Sequence, residues 1–317
     1  MTTPLFHHTF TPLRIDGDRR IVAPEAEWDK VARLNRLMTR PTGKPKGKVR
    51  VEIGGDLFEP WEGPTHATDG KQMWKSRCAN GFWEVDDDVR HRVFRLIDDC
   101  PHVDFYLSTT HLRAAADVMS PDSPGIAHVG WQDPRKNLIL GTTVSTQREA
   151  DDRLPWLLKL PAAKRWVRYV PGSERVDWPR WLPGKRWFNA ACEKCGHVGS
   201  TEFFLERRYH DDADVVCPKA NEVGTIGLVI VSGSLDSPTN LDHVRGVIAQ
   251  CRAAGVRVWV ERLGKRVLMT WREFCKWHPS PPAVDAHPST IDVVTLRDPH
   301  GADPAEWPED LRAREIL

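Results

Sequence analysis

The chain has 317 residues, and its 45 lysines and arginines against 44 aspartates and glutamates leave a formal net charge of +1. That balance excludes a strongly basic nucleic-acid binder while leaving room for a local patch, and no apolar run approaches the roughly 20 residues that cross a bilayer. The cysteines number seven, odd and unevenly spaced, which does not read as a secreted disulfide framework; residues 1–10 lack the charged-then-apolar layout of a signal peptide, so a cytoplasmic protein is expected.

Taken in order, residues 9–13 read as a short strand, ended by the turn signal Asp16-Gly17-Asp18. A helix follows over 24–38, with Val31, Leu34 and Leu37 at helical spacing. Residues 42–48 form a basic loop, 49–53 a strand, and Gly54-Gly55-Asp56 its tip. After an irregular stretch (62–80), a helix spans 86–98 with Val89, Val93, Phe94 and Ile97 inward. Residues 103–107 are the next strand and 112–119 a short helix. Residues 137–141 are an apolar strand, 142–147 a polar tip whose side chains can face a ligand, and from Glu149 the pattern is helical, with Ala150, Leu154 and Leu157 on one face.

Another strand covers 165–170, and a long insertion occupies 177–224. In it, Trp178 and Trp181 could plug a loop region or form a contact surface. The continuous apolar run 226–231 marks a strand buried on both faces. A helix over 239–254 is capped by Asn240 or a neighbour, and 256–261 is the last clear strand. Residues 264–317 read as Pro-rich, mostly irregular, and packed over the end of the sheet.

Strands alternating with helices predict an α/β fold built on a parallel sheet with right-handed crossovers, a (β/α) barrel either partial or closed. The barrel takes 1–176 and 225–264, with the insertion at 177–224 and an extension at 265–317. Chemistry in such folds collects at the C-terminal tips of the strands. Candidate catalytic residues there are Asp56, His111 and Glu261; candidate ligand contacts are Thr143, Gln147, Ser232, Gly233 and Ser234. Each has a plainer reading. Asp56 could be a turn cap, His111 a satisfied hydrogen-bonding group, and Glu261 one half of a salt bridge, while Gly233 would let a ligand approach the backbone.

Cys192-Glu-Lys-Cys195-Gly-His197, followed by Cys217-Pro-Lys-Ala220, is most of a zinc ribbon. Structural zinc takes four ligands in a tetrahedron. Cys192, Cys195 and Cys217 supply three; Ala220 stands where a fourth cysteine would be, and His197 or His210 could complete the set. A vestigial ribbon and a redox pair are the alternatives. Cys78, Cys100, Cys251 and Cys275 read as buried packing cysteines. No Walker loop, G-x-G-x-x-G, H-E-x-x-H or G-x-S-x-G motif is present.

Several segments together resemble the phage three-cysteine-motif protein family, which is related to radical S-adenosylmethionine (SAM) enzymes. They are Val51-Glu-Ile-Gly-Gly-Asp-Leu-Phe58, Leu140-Gly-Thr-Thr-Val-Ser-Thr-Gln147 with Ala150-Asp-Asp-Arg-Leu154, Leu160-Pro-Ala-Ala163, Val229-Ile-Val-Ser-Gly-Ser234 and Gln250-Cys-Arg-Ala-Ala-Gly-Val256. The resemblance spans residues 47–265 and implies a radical-SAM-like barrel carried by phages or prophage-bearing cells. It also implies a cysteine cluster after the first strand, holding a [4Fe–4S] centre. Residues 14–23, the loop in question, contain no cysteine. Other tips depart as well: Ser232-Gly233-Ser234 for Gly-Gly-Glu, Val170-Pro171 for Glu-Pro, Glu261-Arg262 for Lys-Gln, and Thr109-Thr110-His111 for Thr-Lys-Arg.

A [4Fe–4S] cluster is therefore not expected, SAM stays an open ligand, and zinc is the expected metal. The expected function is a binding or partner subunit linked to nucleic-acid or nucleotide modification. Three alternatives stand beside it. One is an enzyme of altered chemistry at the barrel mouth; another is a radical SAM enzyme with ligands from elsewhere, such as Cys78 or a partner chain. The last is a nucleic-acid module using the ribbon and the basic loop.

Overall fold

Seven strands share one sheet in which spatial order repeats sequence order: β1 (His8–Phe10), β2 (Val49–Ile53), β3 (Val103–Ser108), β4 (Leu138–Val144), β5 (Lys164–Tyr169), β6 (Ile226–Ser232) and β7 (Arg257–Arg262). The sheet is parallel and flanked by helices, an α/β fold. Crossovers that are right-handed and always advance in one direction wind a (β/α) barrel rather than a doubly wound sheet. The order has two ends, β1 and β7, so of the two expected forms the sheet is the partial one. The computed structural model describes residues 5–39, 46–61, 65–69, 76–78, 81–83, 85–119, 135–160, 162–172, 174–182, 189–191, 198–200, 225–270, 273 and 291–315.

The chain divides into two compact units, one of residues 5–142 and 159–165, the other of 1–4, 143–158 and 166–317. In the first, α2 (Val85–Asp99) buries Val89, Val93, Phe94 and Ile97, the face its periodicity predicts. Helix α1 (Glu25–Leu37) departs from expectation. Val31 is buried, but Leu37 is 55% exposed, and Trp28 is the other anchor. The reason is Phe10, whose ring meets Trp28 edge-on at 4.8 Å and draws the helix in by its first turns. After β1 the chain forms an antiparallel hairpin, Leu13–Asp16 against Arg19–Val22, turned at Gly17 with φ +63°. Helix α3 (Leu112–Met119) matches its expected span.

In the second unit, α4 (Gln147–Lys159) starts earlier than expected. Thr146 Oγ1 accepts the Glu149 N–H at 3.2 Å, and the Glu149 carboxylate accepts the Ser145 N–H at 2.6 Å, a reciprocal cap that fixes the first turn. Residues 142–144, expected at a polar tip, belong to β4. Helix α5 (Leu241–Ala253) is capped by Asn240, whose Oδ1 accepts from Asp242 N at 2.9 Å, and it buries Leu241, Val244, Val247, Ile248 and Cys251.

The extension is more regular than its prolines suggested. Thr239–Asn240, Arg266–Thr270 and Ile291–Thr295 form a three-stranded sheet. Residues 313–315 run antiparallel along β7: Val260 N donates to Ala313 O and Glu315 N to Val258 O, each at 2.9 Å. The extension thus covers an edge of the sheet and also meets the end of β7, where Leu263 N donates to the Gly301 carbonyl at 2.9 Å. Trp178 and Trp181 are buried, so they plug the fold rather than offer a surface. Cys100 and Cys251 are buried, as expected.

An antiparallel hairpin, Asn189–Ala191 with Val198–Ser200, brackets the Cys-x-x-Cys stretch. Cys192, Cys195, His197, His210 and Cys217 lie outside the described residues, as do Cys275 and the side chain of Cys78.

Candidate functional site

Asp56 and His111 stand at the tips of adjacent strands. Gly54 and Gly55 carry the chain from β2 to Asp56. A Cβ on Gly54 would lie 2.5 Å from Thr11 Oγ1, and Gly55 sits at φ +75°, where its Cβ would lie 2.7 Å from the Leu13 carbonyl. Only glycines let the β2 exit pack this closely on the β1 exit. Leu57 and Phe58 are then buried, and Arg90 Nε holds the Leu57 carbonyl at 2.9 Å.

The Asp56 carboxylate collects five donors. Oδ1 accepts from Phe58 N at 3.1 Å and Thr109 Oγ1 at 2.6 Å. Oδ2 accepts from Thr110 N at 2.9 Å, Thr110 Oγ1 at 3.1 Å and His111 Nδ1 at 2.9 Å. Burial alone would raise this carboxyl; the hydrogen bonds from Thr109, His111, Thr110 and Phe58 together outweigh it and hold the group below its ordinary value. Thr109 links both sides, since its Oγ1 also accepts the His111 N–H at 2.9 Å. Behind it Thr142, fully buried, donates to the Thr109 carbonyl at 2.7 Å. Thr142, expected to face a ligand, is instead a tie between β3 and β4.

His111 opens α3, its carbonyl accepting the Ala115 N–H at 2.9 Å. Its side chain is 38% exposed against 18% for Asp56. Among the described residues nothing is hydrogen-bonded to its Nε2. The site is thus an anchored carboxylate, a histidine aimed by it, and two threonine hydroxyls. Thr109 and Thr110 are not among the candidate site residues of the sequence; their signals there are the pair of hydroxyls directly before the tip histidine and their place in the tip that stands for Thr-Lys-Arg.

The remaining candidates belong to the other unit. Glu261 is the extra residue where the β6/β7 register shifts, with Val231 opposite Val260 and Ser232 opposite Arg262. Such bulges re-aim a side chain, and Glu261 meets Arg168 of β5 at 3.6 Å, so the salt-bridge reading of Glu261 has its partner. Gln147 spends both ends of its amide, donating to Asp151 at 2.8 Å and accepting from Asp177 N at 2.7 Å. The Thr143 carbonyl accepts from Arg153 at 2.6 Å.

Ser232 is buried, and Ser234 Oγ accepts from Asp236 N at 3.1 Å and Ser237 N at 3.2 Å, closing its own turn. Gly233 does admit a close approach, but by the protein's own backbone: a Cβ there would stand 2.1 Å from the Leu263 carbonyl oxygen.

Among the described residues no group of three or more His, Cys, Asp or Glu side chains is gathered to hold a metal ion, and no helix is long and apolar enough to cross a membrane. Comparison with the curated proteins gives no match, and comparison with the solved structures gives none. A family model described as "Protein of unknown function (DUF5131)" matches residues 38–279. This chain is a member of that DUF5131 family.

Proposed function

We propose that this DUF5131 protein is a radical-SAM-derived barrel that works without an iron–sulfur cluster, as a cytoplasmic binding or partner protein whose ligand meets the strand tips around Asp56 and His111. The observation that carries the reading is the stretch after β1. Residues 14–23, where the family resemblance implies three cluster thiolates, hold no cysteine, and most of them are paired in a tight hairpin with Asp16 opposite Arg19. A [4Fe–4S] centre is held by thiolates, so these residues do not fit the cluster, and no step is derived through it.

Nucleic acid or nucleotides as the ligand class, SAM as a further ligand, and a phage-infected or prophage-bearing cell as the setting all follow from the same resemblance. The donor set Cys192, Cys195, Cys217 and a histidine, His197 or His210, suits structural zinc, which would hold the insertion locally.

The test is the metal content of protein purified without oxygen, with its absorption spectrum. About one zinc and no iron supports the reading. About four irons with broad visible absorbance would overturn it.

A second reading, an enzyme of altered chemistry at the same mouth, is favoured by one contact, the 2.9 Å hydrogen bond between His111 and Asp56.

A further inference from the structure

We infer that His111 is a general base whose reacting atom is Nε2, and that Asp56 is the residue that positions it. The inference rests on the second reading above, in which the ligand meets these strand tips.

A neutral imidazole has one N–H, and an ionised carboxylate only accepts. The hydrogen bond between His111 Nδ1 and Asp56 Oδ2, at 2.9 Å, is therefore donated by the histidine and draws the ring proton to Nδ1. Asp56 is confined to the acceptor role by its other donors: Phe58 N and Thr109 Oγ1 on one oxygen, Thr110 N and Thr110 Oγ1 on the other. A protonated carboxyl would have to give up one of these bonds.

The ring is held at the backbone too. His111 N donates to Thr109 Oγ1 at 2.9 Å, and the same hydroxyl donates to Asp56 at 2.6 Å, so three residues close one circuit of hydrogen bonds. The lone pair then lies on Nε2, on a side chain 38% exposed.

The ligand class is a group with an O–H: a water, or a hydroxyl of the bound molecule. In the step the proton leaves that oxygen for Nε2, and the O–H electron pair stays on the oxygen, which becomes the nucleophile. The imidazolium keeps its Nδ1–H on Asp56 and can return the Nε2 proton to a departing oxygen. A carboxylate that fixes the tautomer of a neighbouring histidine does this work in the serine hydrolases, where replacing it by an amide leaves the wrong tautomer.

The test needs no substrate. Long-range proton–nitrogen correlation on the ¹⁵N-labelled full chain, at alkaline pH, reads the tautomer of His111, with the signal assigned by its loss in His111→Gln. Nδ1–H is expected in the wild type and a mixture in Asp56→Asn, whose amide can either accept or donate. Acylation of His111 by diethyl pyrocarbonate at the same alkaline pH should be slower in Asp56→Asn in proportion to the rings that lose the free Nε2 lone pair, roughly twofold for an even mixture.

An Nε2–H ring in the wild type overturns the inference. So does a folded Asp56→Asn with unchanged tautomer and acylation rate. Where that variant does not fold, the wild-type tautomer alone decides. None of these readouts involves iron, zinc or SAM, so a metal analysis that sank the cluster-free reading would leave this result standing, and the reverse.

Discussion

Arg314 holds its guanidinium 4.7 Å from the ring centre of Trp259, and the same two residues form an antiparallel backbone bridge. That guanidinium also lies 5.1 Å from Trp307, a fully buried ring whose indole N–H donates to the Gly301 carbonyl at 3.0 Å. Arg252 pairs with Glu315 at 3.2 Å, just beyond the bridge. An uncovered strand edge is a template for another chain, and residues 313–315 cover the edge of β7. Deleting residues 297–317 is expected to produce association, read by sedimentation or light scattering; a monomer of unchanged stability would refute the role. In the full chain Trp307→Ala should cost about 3–5 kcal/mol and Arg314→Ala about 0.5–2 kcal/mol by urea unfolding.

Gly264 sits at φ +78°, where a Cβ would stand 2.1 Å from the Ser234 carbonyl oxygen. Gly255 has a similar φ of +69° with nothing within 4 Å. Gly264→Ala therefore combines backbone strain with a collision against main chain, which cannot swing aside. It should lower stability by more than about 3 kcal/mol, whereas Gly255→Ala should cost about 1–2 kcal/mol. Thermal unfolding of the pair checks this. Equal losses would mean that the packing of the β6 and β7 tips is looser than described.

The Asp56 carboxyl titrates below its ordinary 3.8, burial being outweighed by the donors from Thr109, His111, Thr110 and Phe58. A depressed carboxyl contributes stability that is full above the unfolded pKa and is lost as pH falls through the folded one. The stability difference between wild type and Asp56→Asn is expected to be flat at neutral pH, to shrink below about pH 4 and to close in stronger acid. Urea unfolding at several pH values measures it; a difference that stays constant into strong acid would show that Asp56 is not held as an anion.

Burial, helped by the Asp99 charge, pushes the Cys100 thiol up to about 11; burial, helped by Glu315, pushes Cys251 up to about 12. The thiolate is the reactive form, so neither should react with maleimide at neutral pH while the protein is folded. Both should be labelled once urea unfolds it. Peptide mapping by mass spectrometry reads the two sites separately, and labelling of either under native conditions would contradict its burial.

Much of the fold was legible because local signals agreed with it. Residues 49–53 alternate into a strand, and the face of α2 follows from the spacing of Val89, Val93, Phe94 and Ile97. Asn240 announces α5 because its side chain can bond the second residue ahead without help from the rest of the chain. Asp56 and His111 were legible as strand-tip residues, since a parallel sheet puts consecutive tips side by side.

Their pairing was not legible. It depends on Gly54 and Gly55 folding back against Thr11 and Leu13, and on Thr109 bonding both partners at once. Nor was the neighbour of Gly233 legible, because the backbone packed against it, that of Leu263, comes from the segment just after β7. The same holds for Glu261, aimed by a bulge defined against β6, and for residues 313–315, whose bridge at Arg314 exists only because they lie along β7. Periodicity and caps act between residues a few positions apart, so the amino-acid sequence by itself determined the main helices, the strands of the parallel sheet and the order in which they wind, but not the smaller sheets. Contacts between distant segments depend on how those elements close on one another. Only the tertiary structure decided which tip residues face each other and which are spent holding the fold.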